Sequence, residues 1–126
     1  MSALSKMTAL NRSALHGRDG GKEIFIEDVR DPDGRWYRVE YQCEADGSNA
    51  VAFCRSNPWG NNPFTYTQSH LGNDGFICYA DPLDRGRSGY DLDYVVKRVR
   101  TWCVGYSFMR EHGYRATCAQ MPEWGG

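Results

Sequence analysis

Two side chains able to do chemistry stand eight positions apart, His70 and Cys78, in the string Ser69-His70-Leu71-Gly72-Asn73-Asp74-Gly75-Phe76-Ile77-Cys78. A thiol near an imidazole serves two opposed chemistries. A cysteine hydrolase needs a thiolate at neutral pH, obtained at a helix N-terminus or beside a cationic imidazole. Here Ala80-Asp81-Pro82 follows Cys78, the next helical pattern starts well downstream, and Asp74, Asp81 and Asp84 oppose ionisation of the thiol. A thioester carrier makes the opposite demand. Its sulfur accepts an acyl group and hands it on without inviting water, and it needs a donor for the tetrahedral oxyanion during attack by an amine. His70, Asn73 and the backbone amides between Gly72 and Gly75 are the candidate donors. Asp81 and Asp84 are candidates, on position alone, to orient or deprotonate the incoming amine.

The other reactive types are read more plainly. Five cysteines form an odd set without a Cys-x-x-Cys pair, so neither a zinc site nor a disulfide framework is expected. Cys43, Cys54, Cys103 and Cys118 read as small apolar side chains of the interior. The stretch Arg85-Gly86-Arg87-Ser88-Gly89 lacks the preceding strand and full glycine pattern of a phosphate loop. His16 and His112 each precede a glycine and read as helix-end residues interacting with the dipole. Gly125-Gly126 reads as a terminal glycine pair rather than a conjugatable tail. No cofactor or metal is expected, and with no adenylation motif present any acyl group must be activated elsewhere.

Composition narrows the class. The 126 residues suffice for one domain, residues 1–126, able to bury a core without staples. Fifteen Lys plus Arg against sixteen Asp plus Glu leave a net charge of -1, which removes the electrostatic footprint of a general nucleic-acid binder. No apolar run has the length of a membrane span, and residues 1–20 lack the apolar block of a signal peptide. The expectation is a soluble, cytoplasmic chain whose partner is a protein or a small molecule.

The elements that must carry the chemistry follow from periodicity. Leu4, Met7, Leu10, Ala14 and Leu15 recur at helical steps, predicting an N-terminal helix within residues 1–17. Residues 23–68 predict a four-stranded antiparallel meander. Its first strand holds Ile24, Phe25, Ile26 and Val29. The second alternates Tyr37, Val39, Tyr41 and Cys43 against polar residues, the third carries Val51 and Phe53, and the last covers residues 64–68. The turn Asp31-Pro32-Asp33-Gly34 joins the first two. Residues 69–89 form a long loop of little periodicity, of the kind that is usually functional in a compact domain. Leu92, Val95, Val96, Val99, Trp102, Cys103, Tyr106 and Met109 then define one long helix over residues 90–113, followed by an aperiodic tail, 114–126. The fold class is α+β. Trp59, Trp124 and the N-terminal helix read as docking points.

Set in that order of elements, the loop Asp74-Gly75-Phe76-Ile77-Cys78 resembles the active-site loop of the ubiquitin-conjugating enzyme (UBC) superfamily, whose Asn-Gly-x-Ile-Cys-type sequence presents a thioester cysteine. Pro58-Trp59-Gly60-Asn61-Asn62-Pro63 stands where that family carries a Tyr-Pro-x-x-Pro-Pro loop. The resemblance spans residues 2–113, with only the cysteine loop specific. His70 takes the offset of the family's oxyanion-associated Asn, without its His-Pro-Asn motif, and serves either as that donor or as a loop stabiliser. Cys78-Tyr79 with Asp81-Pro82 looks most like bacterial members, found in ubiquitin-like conjugation operons and in CBASS antiphage systems. The resemblance implies a UBC-like fold and a transferase. Cys78 would take the C-terminal glycine of a ubiquitin-like protein or a cyclic-oligonucleotide synthase, with a separate activating enzyme as a possible further partner. A non-catalytic UBC-like interaction module is the competing reading, and a small Cys-His hydrolase the least favoured.

Overall fold

A computed structural model describes residues 1–78 and 89–121. In chain order the elements are α1 (Ala3–Leu10), β1 (Leu15–Asp19), β2 (Lys22–Arg30), β3 (Trp36–Cys43), β4 (Val51–Ser56), α2 (Tyr66–Ser69), α3 (Leu92–His112) and α4 (Tyr114–Gln120). The four strands make one antiparallel sheet in the order β1-β2-β3-β4, so the α+β class with an N-terminal helix, a meander and a long C-terminal helix is what the chain forms.

Alternation builds the inner face of the sheet. Tyr37, Val39, Tyr41 and Cys43 of β3 are buried on one side, joined by Phe25 of β2 and Ala52 of β4. Against them lies the apolar stripe of α3, from Leu92 through Val95, Val96, Val99, Trp102, Cys103 and Tyr106 to Met109, while Ala3 and Met7 of α1 close one end. Tyr37 meets Trp102 edge-on at 5.8 Å, and Trp102 stacks on Tyr106 at 5.0 Å. Both spacings fall in the favourable range for aromatic pairs.

Several expectations are corrected. The N-terminal helix does not run to residue 17: it ends at Leu10, with Asn11 as C-cap in extended conformation, its amide given to the Met7 carbonyl and its side-chain oxygen accepting the Ser13 amide. Leu15–Asp19 pairs instead with β2 as an edge strand, turned by Gly20 and Gly21 at φ +56° and +81°. Positive φ at both central residues is what a two-residue hairpin turn of the primed type demands. His16 is therefore not a helix-end residue; it stacks on Phe25 at 4.8 Å and contacts Glu23. The last strand expected at residues 64–68 is a helical turn, because Thr65 and Gln68 form a reciprocal capping box that satisfies the orphan amides of α2. The meander thus spans residues 15–56 rather than 23–68. The tail expected after residue 113 begins with α4, which turns at Gly113 and buries Thr117.

Two buried acids tie the layers together. Glu27, 1% exposed, points from β2 toward α3 and accepts from Arg100, from the Tyr41 hydroxyl at 3.0 Å and from Asn11 Nδ2 at 2.9 Å. Asp31, in the β2–β3 turn, accepts from the Arg35 and Asp33 amides, from Arg35 Nε and from Ser107 Oγ of α3. Since the single proton of Ser107 goes to Asp31, Tyr37 donates its own to Ser107 at 2.6 Å, and Trp59 Nε1 completes the chain by donating to Tyr37 at 3.2 Å.

Removing the partly exposed Arg100 guanidinium strands the buried Glu27 carboxylate. Arg100→Met is expected to cost about 3 kcal/mol in urea unfolding, and adding Glu27→Gln should recover part of that loss. An Arg100→Met protein as stable as the parent would show that Glu27 needs no cation. For Asp31, burial raises the carboxyl pKa, but the bonds from Ser107 and Arg35 outweigh it and hold the group below the ordinary aspartate value. Its contribution is therefore complete above that value and fades as pH falls through the lowered one. The stability gap between the parent and Asp31→Asn should shrink between about pH 5 and pH 2, followed by thermal unfolding.

Candidate functional site

The segment that carries the cysteine is a hairpin laid along the free edge of β4. Ile77 donates its amide to the Ala52 carbonyl at 2.9 Å, and the Cys54 amide donates to the Gly75 carbonyl at 2.7 Å, around a bridge pairing Phe53 with Phe76. Within the hairpin, Leu71 bridges Ile77 and the Gly72 amide donates to Phe76. The tip is closed by Gly75 N–H on the Gly72 carbonyl at 3.0 Å, and by the Phe76 amide on Asp74 Oδ1 at 3.1 Å. Leu71 and Ile77 are buried in the main core, which anchors the hairpin from within.

One glycine permits this approach. Gly75 has φ +88°, and a Cβ there would stand 2.6 Å from the Cys54 carbonyl oxygen, which is backbone and has nowhere to go. Phe53 and Phe76, edge-on at 5.8 Å, seal the outer side of the same crossing.

Of the expected site residues, the hairpin brings His70 and Cys78 together: the Cys78 amide donates to the His70 carbonyl at 2.9 Å, one ladder step beyond the Leu71–Ile77 bridge. Both are nearly buried, His70 at 8% and Cys78 at 6% exposure. Asn73 occupies the exposed tip, three ladder steps from Cys78 and on the order of 10 Å along the strands. There it lines a polar cleft of about 590 Å³ with Asn57, Asn61, Asn62 and Gly72, away from the thiol. Asp81 lies outside the described residues, as do Asp84, Trp124, Gly125 and Gly126.

Three further thiols are raised in pKa by burial. Burial pushes Cys54 and Cys43 each up to about 11 and carries Cys103 well above the ordinary cysteine value. Cys54 also donates to the Ser56 carbonyl at 3.4 Å. Trp59, read from sequence as a docking point, is engaged internally, with Arg35 stacked over its ring at 4.3 Å and its indole N–H given to Tyr37.

Sequence reasoning passed over Ser69 and Asn62. Ser69 is fully buried, and its hydroxyl accepts from Asn62 Nδ2 at 2.9 Å and from the Leu71 amide at 3.2 Å. No local pattern marks such a hub, and the Thr65 and Gln68 cap that sets where α2 begins lies in a stretch that reads as a strand. Among the described residues no cluster of His, Cys, Asp or Glu is arranged to hold a metal ion, and no helix is long and apolar enough to cross a membrane.

No protein-family model, curated protein or solved structure matches the chain.

Gly75→Ala is expected to lift the hairpin from β4 at a cost on the order of 2 kcal/mol. Hydrogen exchange at the Cys54 and Ile77 amides should accelerate, with the amides of β2 and β3 unaffected beyond the global change. Unchanged protection at those two amides would refute the role of the close approach.

Proposed function

We propose that this chain is a UBC-like acyl carrier in which Cys78 takes the C-terminal glycine of a donor protein as a thioester and passes it to an amine. The observation that carries the reading is the placement of Cys78. It ends a hairpin pinned by backbone hydrogen bonds to the edge of a four-stranded meander, with His70 directly across the ladder. The order of an N-terminal helix, a meander, a cysteine hairpin and a long helix is also what the resemblance carried by Asp74-Gly75-Phe76-Ile77-Cys78 implies.

The chemistry balances with one outside component. A separate activating enzyme supplies the glycine carboxyl as an activated acyl group. The Cys78 sulfur attacks that carbonyl carbon, the C–S bond forms, and the activating group leaves, taking up the thiol proton directly or through a base. An amine nitrogen then attacks the thioester carbonyl, the C–S bond breaks with the sulfur leaving as thiolate, and the amine proton passes by way of a base to that sulfur, regenerating the thiol. Donors near the thioester oxygen lower the barrier of both steps. His70 is the nearest side-chain candidate by backbone position, whereas Asn73 stands at the far end of the hairpin. In the bacterial setting the resemblance implies, the donor is a ubiquitin-like protein or a cyclic-oligonucleotide synthase of an antiphage system.

The 6% exposure of Cys78 favours a second reading, a UBC-like interaction module whose cysteine is structural. The two differ in what Cys78 does when its genomic neighbours are present. Intact-mass analysis after co-expression should show a protein-sized adduct on the parent that disappears on thiol reduction. It should persist as an isopeptide on Cys78→Lys and be absent from Cys78→Ala. An adduct formed by Cys78→Ala, or none on any variant, would set the carrier reading aside.

A further inference from the structure

The backbone at His70 is strained and unusually well held. His70 sits at φ +58°, one of two non-glycine residues among those described with positive φ. Such a conformation persists only where the surroundings over-determine it. Here they do. The His70 amide donates to the Tyr66 carbonyl at 2.7 Å, the Ser69 amide donates to the Thr65 carbonyl at 2.9 Å, and the Leu71 amide donates to Ser69 Oγ at 3.2 Å. The Ser69 carbonyl, immediately before His70, accepts from Trp102 Nε1 at 2.9 Å. That last bond is the only one of the set that reaches α3, and both partners are buried, Ser69 fully and Trp102 to 4% exposure. Trp102 itself cannot drift, because it is wedged between Tyr37 and Tyr106.

The strained residue is also the one that holds the thiol, since its carbonyl accepts the Cys78 amide. We infer that Trp102 is a positioning residue for Cys78, acting through the Ser69 carbonyl and the left-handed backbone of His70. This rests on the reading of Cys78 as the nucleophile. In a neutral core, a tryptophan at this place in α3 contributes packing that phenylalanine largely supplies. The indole N–H adds a directed bond that a buried carbonyl would otherwise lack, and it couples the long helix to the cysteine hairpin.

The coupling has a signature that packing alone does not produce. Glycine adopts positive φ without strain, so a glycine at position 70 no longer needs the bond from α3 to stay in place. The experiment measures iodoacetamide alkylation of Cys78 by peptide mass mapping in the intact chain, with fully buried Cys103 reporting global opening. Trp102→Phe is expected to accelerate Cys78 relative to Cys103 about fivefold in the parent, and less than about twofold in a His70→Gly background, the non-additivity of groups acting in one chain. Equal acceleration in both backgrounds, or none in the parent, overturns the inference. If Trp102→Phe opens the core enough to expose Cys103, replacing Trp102 by benzothienylalanine carries the same comparison, because it keeps the two-ring stack and removes only the N–H given to the Ser69 carbonyl. The mass-adduct experiment is separate: its failure removes the carrier reading and leaves the alkylation comparison to stand or fall by itself.

Discussion

The free edge of β4 is the constraint from which the site follows. β3 satisfies one side of that strand, and the unpaired amides and carbonyls of the other side must find partners or water. Residues 75–77 supply the partners, and the cost is steric: two backbones meet where Gly75 crosses the Cys54 carbonyl with no room for a side chain. Once that crossing is made, little freedom remains downstream. Ile77 is committed to the core, Phe76 to Phe53, and Cys78 to the His70 carbonyl. The thiol is thus placed by sheet hydrogen bonding, whose geometry is stiff, rather than by a loop.

The same logic explains why polar groups are buried at all in so small a domain. Glu27 with Arg100, and Asp31 with Ser107, Tyr37 and Trp59, each join the sheet or its turn to α3 by bonds with direction. Apolar contact between α3 and the sheet stabilises many neighbouring registers nearly equally, because it scales with area rather than angle. A fully satisfied polar chain favours one of them. Trp102 extends this register control to the hairpin, since the helix turn that stacks on Tyr106 also bonds the Ser69 carbonyl.

The parts legible in the sequence were those whose period survives into burial. β3 reads as a strand because Tyr37, Val39, Tyr41 and Cys43 all face the core, and α3 reads as a helix because its stripe from Leu92 to Met109 does the same. β1 did not read as a strand: all five of its residues are exposed, so no alternation exists, and its extended state is imposed by pairing across Gly20 and Gly21. α2 has four residues, too few for a period, and the aromatic and β-branched run from Phe64 to Thr67 favoured a strand until the cap decided otherwise. At the site, the turn chemistry between Gly72 and Gly75 was visible, as was the pairing of His70 with Cys78 by spacing. The Gly75 crossing and the Trp102 bond were not, because each depends on elements brought together across the fold.

Burial of the thiol bears on which chemistry fits the proposed reading. A hydrolase must admit water beside its thiolate and a base to activate that water, so a sulfur sunk to 6% exposure behind a core-anchored hairpin is poorly placed for it. Charging a carrier requires the activated carbonyl to reach this sulfur, but once charged the carrier is served by the same shielding. Its intermediate survives only while water is kept from the thioester, and an amine arriving on a docked protein is positioned by contacts elsewhere, so its attack depends less on open access to the sulfur. What a carrier requires instead is that the sulfur not wander between the charging and discharging encounters. A backbone bond to a residue held at positive φ by its own turn and by the long helix meets that requirement.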